Sequence, residues 1–102
     1  MIQKGEGGID MTTYFMFGKF TPSAMKDISA ERTKKSSAIV EKCGGQLKAL
    51  YALLGEIDAV AIVDFPSVNE AMKASVELTK LLGVSFTTVP AITVEEFDKL
   101  FE

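Results

Sequence analysis

The sequence predicts a single α+β domain in which four antiparallel strands form one sheet. The chain is 102 residues long, which is the size of one domain. Its apolar runs and helical patterns follow one another in the order β-α-β-β-α-β, with a short helix at the end. The two central runs, 47–54 and 59–65, are separated by a short break that contains Gly55, which is typical of a β-hairpin.

The first strand is predicted over 13–20, where aromatic residues predominate. Thr21-Pro22 is typical of the start of a helix, because proline fits the first helical position. The helical pattern continues to Gly44-Gly45, which is expected to end it, and Ser29 marks a possible second start within it.

The hairpin strands are apolar on both of their faces. Strict alternation would place Leu47, Ala49, Tyr51 and Leu53 on one side of the first hairpin strand and Leu50, Ala52 and Leu54 on the other. An antiparallel pair with one face in water would instead alternate apolar and polar residues. Both faces of the sheet are therefore expected to be covered.

The second half of the chain places the fourth strand at an edge of the sheet. Ser67 and Glu70 have the spacing of a capping box that opens a helix, and the fourth strand is predicted over 84–92. Pro90 cannot donate a ladder hydrogen bond, so this strand belongs at an edge. With right-handed crossovers, the strand order 4-1-3-2 meets this requirement. A second capping box at Thr93 opens the terminal helix.

The composition excludes several functions. The chain has 11 Lys and Arg against 14 Asp and Glu, so it lacks the positive charge of a nucleic-acid surface. No run approaches the roughly 18 apolar residues of a membrane span. A single cysteine, Cys43, and the absence of histidine exclude an internal disulfide and remove the usual nucleophile and metal sites. We expect no metal, no cofactor and a cytoplasmic location.

The apolar pattern also predicts self-association. Residues 1–11 are expected to form a disordered or extended tail before a domain at 12–102. Two helices can cover only one face of its sheet, and soluble monomers rarely expose more than about 300–600 Å² of contiguous apolar surface. A two-fold dimer would bury about 800 Å² per partner. We expect a homodimer through the open sheet face, or a higher even oligomer, with no nucleic-acid or membrane partner.

The segment 54–63, LGEIDAVAIV, resembles the signature of the GYD domain family, which is written Gly-x-Tyr-Asp ahead of a Val/Ala/Ile strand. The similarity extends over about 12–101, through 18–21, 29–32, Gly44-Gly45 and 93–97. Ile57 stands where the signature has its tyrosine, so no role of that phenol carries over. The resemblance implies a ferredoxin-like domain of the dimeric α/β-barrel type. It implies little about function, because the family has no settled activity.

Three side chains are candidates for a ligand site between the helices and the sheet. Arg32, the only arginine, is expected to pair with an internal acid such as Asp58, to extend outward to solvent, or to bind an anion, since its fork suits a carboxylate. Asp58 is expected either to cap the hairpin turn or to lie at the pocket mouth. Tyr51 is expected either to pack in the core or to line the pocket with its hydroxyl as a hydrogen-bond donor. Gly55 is expected to supply a positive φ, and Glu56 to be solvated in the turn.

Two functions remain as alternatives. The first is an oligomeric module that binds a small anionic or apolar ligand or is purely structural. The second, by analogy with the dimeric α/β-barrel superfamily, is a cofactor-independent enzyme of the oxygenase or isomerase type, with Asp58 as base and Arg32 and Tyr51 stabilising an oxyanion. A cavity of roughly 300 Å³ or more that holds all three residues would favour ligand chemistry. Mutually satisfied side chains in a filled space would favour a structural module.

Overall fold

The computed structural model describes residues 10–102 and has the predicted α+β architecture. The strands are β1 (Thr12–Phe20), β2 (Gln46–Ala52), β3 (Ala59–Phe65) and β4 (Val84–Ala91). The helices are α1 (Pro22–Lys26), α2 (Ala30–Lys42), α3 (Val68–Leu82) and α4 (Val94–Lys99). Most of the predicted tail, residues 1–11, lies outside the described residues, and the tail stays a prediction.

The four strands form one antiparallel sheet in the order β2-β3-β1-β4. This is the predicted order, read from the other edge. β1 and β3 occupy the centre, where strands that are apolar on both faces belong. Within the described residues β4 is an edge strand, and Pro90 lies opposite Tyr14 in its pairing with β1. Pro90, which has no N–H to donate, therefore lies in a strand that pairs with β1 alone.

The helix starts follow the predicted capping residues, with one difference. Ser29 opens α2 by accepting a hydrogen bond from the Arg32 amide at 3.2 Å, so the predicted break before this helix is confirmed. Thr93 forms a complete capping box at the start of α4. The box predicted at Ser67 is incomplete, because the Ser67 hydroxyl accepts from the amide of Asn69 rather than that of Glu70. It donates instead to the Glu70 carboxylate.

The core lies between one face of the sheet and the helices α1, α2 and α3. Its largest fully buried side chains are Phe65, Met16, Val63 and Val84. Gly45 lets the chain enter β2 directly beside Phe65, because a Cβ at this position would lie 2.5 Å from the ring carbons of Phe65. The absence of a side chain at residue 45 therefore fixes how closely β2 approaches the core.

A β-bulge in β2 changes which of its side chains share a face. Leu47 pairs with Val63 and Ala49 pairs with Ile62, so Lys48 is an additional residue in β2. Neighbouring residues of β3 point to opposite faces, and Val63 is the one buried under the helices. The predicted alternation is therefore wrong at this point, because Leu47 lies on the helix-covered face and Ala49 on the other.

The other face of the sheet, which we call the uncovered face, is apolar along its centre. The strand register places these side chains on it: Phe15, Phe17, Ala49, Tyr51, Val60, Ile62 and Val89. They are half-buried or exposed, and Tyr51 is 58% exposed. Charge lies at the margin, where Lys48 pairs with Asp64 at 3.8 Å and Thr13 donates to the same carboxylate at 2.7 Å.

The hydrogen bond between Ser67 and Glu70 predicts an acid-sensitive start of α3. The Ser67 hydroxyl lowers the pKa of the Glu70 carboxyl from its ordinary value of 4.5. A carboxyl whose pKa is lower in the folded chain stabilises the fold above its unfolded pKa, and this contribution is lost as the pH falls below about 4.5. Ser67→Ala should therefore lower the melting temperature more at neutral pH than at pH 3. Equal losses at both values, measured by circular dichroism, would contradict this role of Glu70.

Candidate functional site

A cavity of about 380 Å³ lies between the helices α1, α2 and α3 and the helix-covered face of the sheet. Its lining includes Arg32, Tyr51 and Asp58, so the three predicted residues border one space. The volume falls within the range of small-molecule sites. Most of the remaining lining is apolar and comes from all four strands, for example Met16, Leu47, Ala61 and Phe86.

The cavity exists because small side chains face one another across the two layers. β3 contributes Ala59 and Ala61, and α2 contributes Thr33 and Ser36, where a closely packed helix would carry larger apolar residues. The only buried residue of α2 is Val40. The helix therefore packs on the sheet near its C-terminal end and leaves space under its first turns.

Arg32 lies beside this space and closes the end of α3. Its Nη2 donates to the carbonyl of Leu82 at 2.7 Å and more weakly to that of Leu81 at 3.4 Å. These carbonyls belong to the last turn of α3, where a cation also interacts favourably with the helix dipole. Nη1 lies 3.5 Å from Asp27 Oδ2. The predicted pairing of Arg32 with Asp58 is therefore wrong, and the acid beside Arg32 is Asp27.

Asp58 holds the end of β1 against the start of β3. Its Oδ2 accepts from the Phe20 amide at 2.8 Å, and its own amide donates to the Gly18 carbonyl at 2.9 Å. Its carbonyl accepts from the Leu53 amide at 2.8 Å and closes the hairpin. The predicted chemistry, a carboxylate that accepts a backbone N–H, is therefore present, but the donor belongs to β1 rather than to the hairpin turn.

Tyr51 borders the cavity, but its side chain belongs to the other face of the sheet. It pairs with Val60, whose neighbour in β1 is Phe17, and this register places its side chain on the uncovered face. One alternative placed Tyr51 in the core. This alternative is wrong, because 58% of the surface of Tyr51 is exposed. In the turn, Gly55 has the predicted positive φ of 136°. Glu56 is exposed, and its carbonyl accepts from Lys19 Nζ at 2.9 Å.

The polar wall of the cavity is not among the features predicted from the sequence. Ser29, Thr33 and Ser36 line it together with Arg32, and residues three or four apart share one side of a helix. The spacing of these residues, followed by Val40, could have identified them. Thr33 donates its hydroxyl to the Ser29 carbonyl at 3.3 Å, and Ser36 donates to the Arg32 carbonyl at 2.8 Å.

The cavity lining is mostly apolar, with the polar side chains of α2 on one side. Within residues 10–102, no group of three or more His, Cys, Asp and Glu side chains is arranged to hold a metal ion. No helix in that part of the chain is long and apolar enough to cross a membrane. The enzymatic alternative stays a prediction, and one oxygen of its suggested base, Asp58, is bonded to the Phe20 amide.

The strand order and the placement of the helices define a ferredoxin-like α+β domain. The chain belongs to the GYD domain family, whose model matches residues 14–101. No curated protein matches it. Among solved structures it is similar to the leucine response regulatory protein LrpA of Mycobacterium tuberculosis, with a TM-score of 0.54 and 12% sequence identity. The match covers 80% of this chain and 51% of that protein, so the chain spans about half of LrpA, and the likeness concerns the fold.

The contacts of Arg32 predict unequal costs for its two interactions. Arg32→Gln removes a charged donor from the Leu82 carbonyl, and such hydrogen bonds contribute about 1.5–3 kcal/mol, less where the side chain is partly exposed. Asp27→Asn removes only an exposed ion pair, which contributes about 0–1 kcal/mol. Chemical denaturation should therefore find Arg32→Gln the more destabilising change. A larger loss for Asp27→Asn would show that the ion pair, and not the cap of α3, holds the arginine.

Proposed function

We propose that this domain binds a small, largely apolar molecule with an anionic group in the cavity between its helices and its sheet. The observation that carries this proposal is a cavity of about 380 Å³ whose apolar lining stays partly in contact with water. Met25 is 47% exposed, Ile28 65% and Leu53 41%. Since burying such a side chain fully contributes about 1.5–3 kcal/mol, an apolar occupant would gain from covering them.

Arg32 supports an anionic group at the polar wall. Its Nη2 is held by the Leu82 carbonyl, which orients the guanidinium. Its Nη1 faces Asp27 at 3.5 Å, well beyond the roughly 2.7–2.9 Å of a good charge-assisted hydrogen bond. The Asp27 side chain is 63% exposed, so the acid can turn into water when a ligand carboxylate takes its place. The hydroxyl protons of Thr33 and Ser36 already bond to backbone carbonyls, which leaves Arg32 as the strongest donor of this wall.

Binding of decanoate, with decanol as its uncharged counterpart, tests this proposal. Both probes should bind in isothermal titration calorimetry. Ala61→Phe should abolish binding by filling the cavity, while Ala38→Phe, an exposed position of α2 outside the lining, should not. Arg32→Gln should weaken decanoate by about tenfold, or about 1.4 kcal/mol, and leave decanol unchanged.

Two results would contradict the proposal. The first is that neither probe binds the original chain at concentrations up to about 1 mM. The second is that the Ala61→Phe variant binds both probes as tightly as the original chain does. Native mass spectrometry of the purified protein adds an independent measurement, because a retained molecule would appear as additional mass on the folded chain.

The same proposal includes a homodimer through the uncovered face. Phe15, Phe17, Val60 and Ile62 form a continuous apolar strip on the two central strands, and a two-fold partner that presents the same strip would cover it. Sedimentation at micromolar concentration should find a dimer or a higher even oligomer. Ile62→Lys should dissociate it, whereas Lys73→Ala on the exposed side of α3 should not. A stable monomer of the original chain would contradict the dimer without affecting the binding test.

A further inference from the structure

The helix α4 presents an apolar side that its own chain leaves exposed. This side, which we call the α4 apolar side, consists of Val94 and Phe97 of the helix and of Leu100 and Phe101, which directly follow it. Their exposed fractions are 73%, 53%, 68% and 75%, and no residue of α4 is buried. The rings of Phe97 and Phe101 lie 5.2 Å apart between their centroids, so both lie on the same side of the helix.

A helix this short needs a surface to pack on. α4 has 6 residues, and isolated helices shorter than about 12–15 residues are marginal in water. Its capping box satisfies the first amides but contributes only about 0.5–2 kcal/mol. The usual source of helix stability is burial of an apolar side, and within residues 10–102 more than half of each of these four residues stays exposed.

The exposed area is large enough to form part of a stable interface. Because a phenylalanine offers roughly 150–250 Å², the exposed parts of Phe97 and Phe101 carry about 200–300 Å² between them. With Val94 and Leu100 the total reaches about 500 Å², near the upper end of the apolar patches of soluble monomers. That is more than half of the roughly 800 Å² that each partner contributes to an interface of standard size.

The α4 apolar side is continuous with the uncovered face. A groove of about 180 Å³ connects β1 to the start of α4 and is lined by Thr13, Phe15, Ala91, Ile92, Thr93 and Glu96. Phe15 belongs to the apolar strip of the sheet, and Ile92 is 53% exposed. One partner could therefore cover both surfaces at the same time.

We propose that α4 packs its apolar side onto the uncovered face of a second copy of this chain, and that the partner's α4 does the same in return. A two-fold axis makes such contacts reciprocal. The charges are complementary at one margin of the uncovered face, because residues 94–102 contain four acidic residues and one lysine and Lys19 lies there opposite Ser85. At the other margin Lys48 is paired with Asp64 of its own chain. The proposal depends on the proposed homodimer and adds which segment of each copy completes it.

Photo-crosslinking between differently labelled copies tests this contact. Benzoylphenylalanine replaces Phe101 in the full-length chain, and the protein is mixed with heavy-nitrogen-labelled original chain. Mass spectrometry should find cross-links from residue 101 to 13–20 or 58–65 of the differently labelled copy. The same probe at Lys99, on the opposite side of α4, should yield far fewer such cross-links.

A pair of matched variants gives a second readout. Phe97→Ser combined with Phe101→Ser should weaken the dimer at least about tenfold in sedimentation, while Asp98→Ser combined with Lys99→Ser should leave it intact. Circular dichroism checks that the domain still folds. An unchanged dimer in the first variant, or cross-links confined to one copy, would overturn the role of α4 and leave the proposed dimer standing. A monomeric original chain would overturn both.

Discussion

The constraint on which the rest of this structure depends is that one layer of helices cannot cover a sheet that is apolar on both faces. Within residues 10–102, α1, α2 and α3 pack on the face that carries Met16 and Val63, and the face that carries Phe17 and Ile62 stays in contact with water. A small domain buries only about 60–65% of its unfolded surface. The proposed ligand and the proposed second copy would each cover part of the apolar area that the chain leaves exposed.

The cavity under α2 follows from a lack of large side chains on the first turns of this helix. The sheet is wide enough to support two full helices, but the first turns of α2 meet it with hydroxyl-bearing residues such as Thr33 and Ser36. Arg32 then joins this loosely packed end of α2 to the last turn of α3 through the Leu82 carbonyl. The arginine thus helps to hold the two helices together over a space that their side chains do not fill.

The fold could be predicted from the sequence because independent signals agreed, whereas the site depended on long-range contacts. Pro90 required an edge for β4, and the apolar centre required β1 in the middle. The bulge at Lys48 leaves no signal in the apolar pattern, so the alternation failed at Leu47. The position of Arg32 beside a pocket could be predicted from its helical stripe. Its partners, carbonyls 49 and 50 residues away, could not be predicted, because backbone acceptors have no sequence signature.

The two edges of the sheet favour the proposed association through its face over growth at its edges. β4 carries Pro90, which offers no N–H to a further strand. β2 carries the bulge at Lys48, and both a bulge and an edge lysine discourage pairing with another sheet. Strand addition is thus opposed at both ends, while the apolar strip between them carries no such protection. A face-to-face contact about a two-fold axis closes on itself, so it can cover this strip without leading to an open-ended assembly.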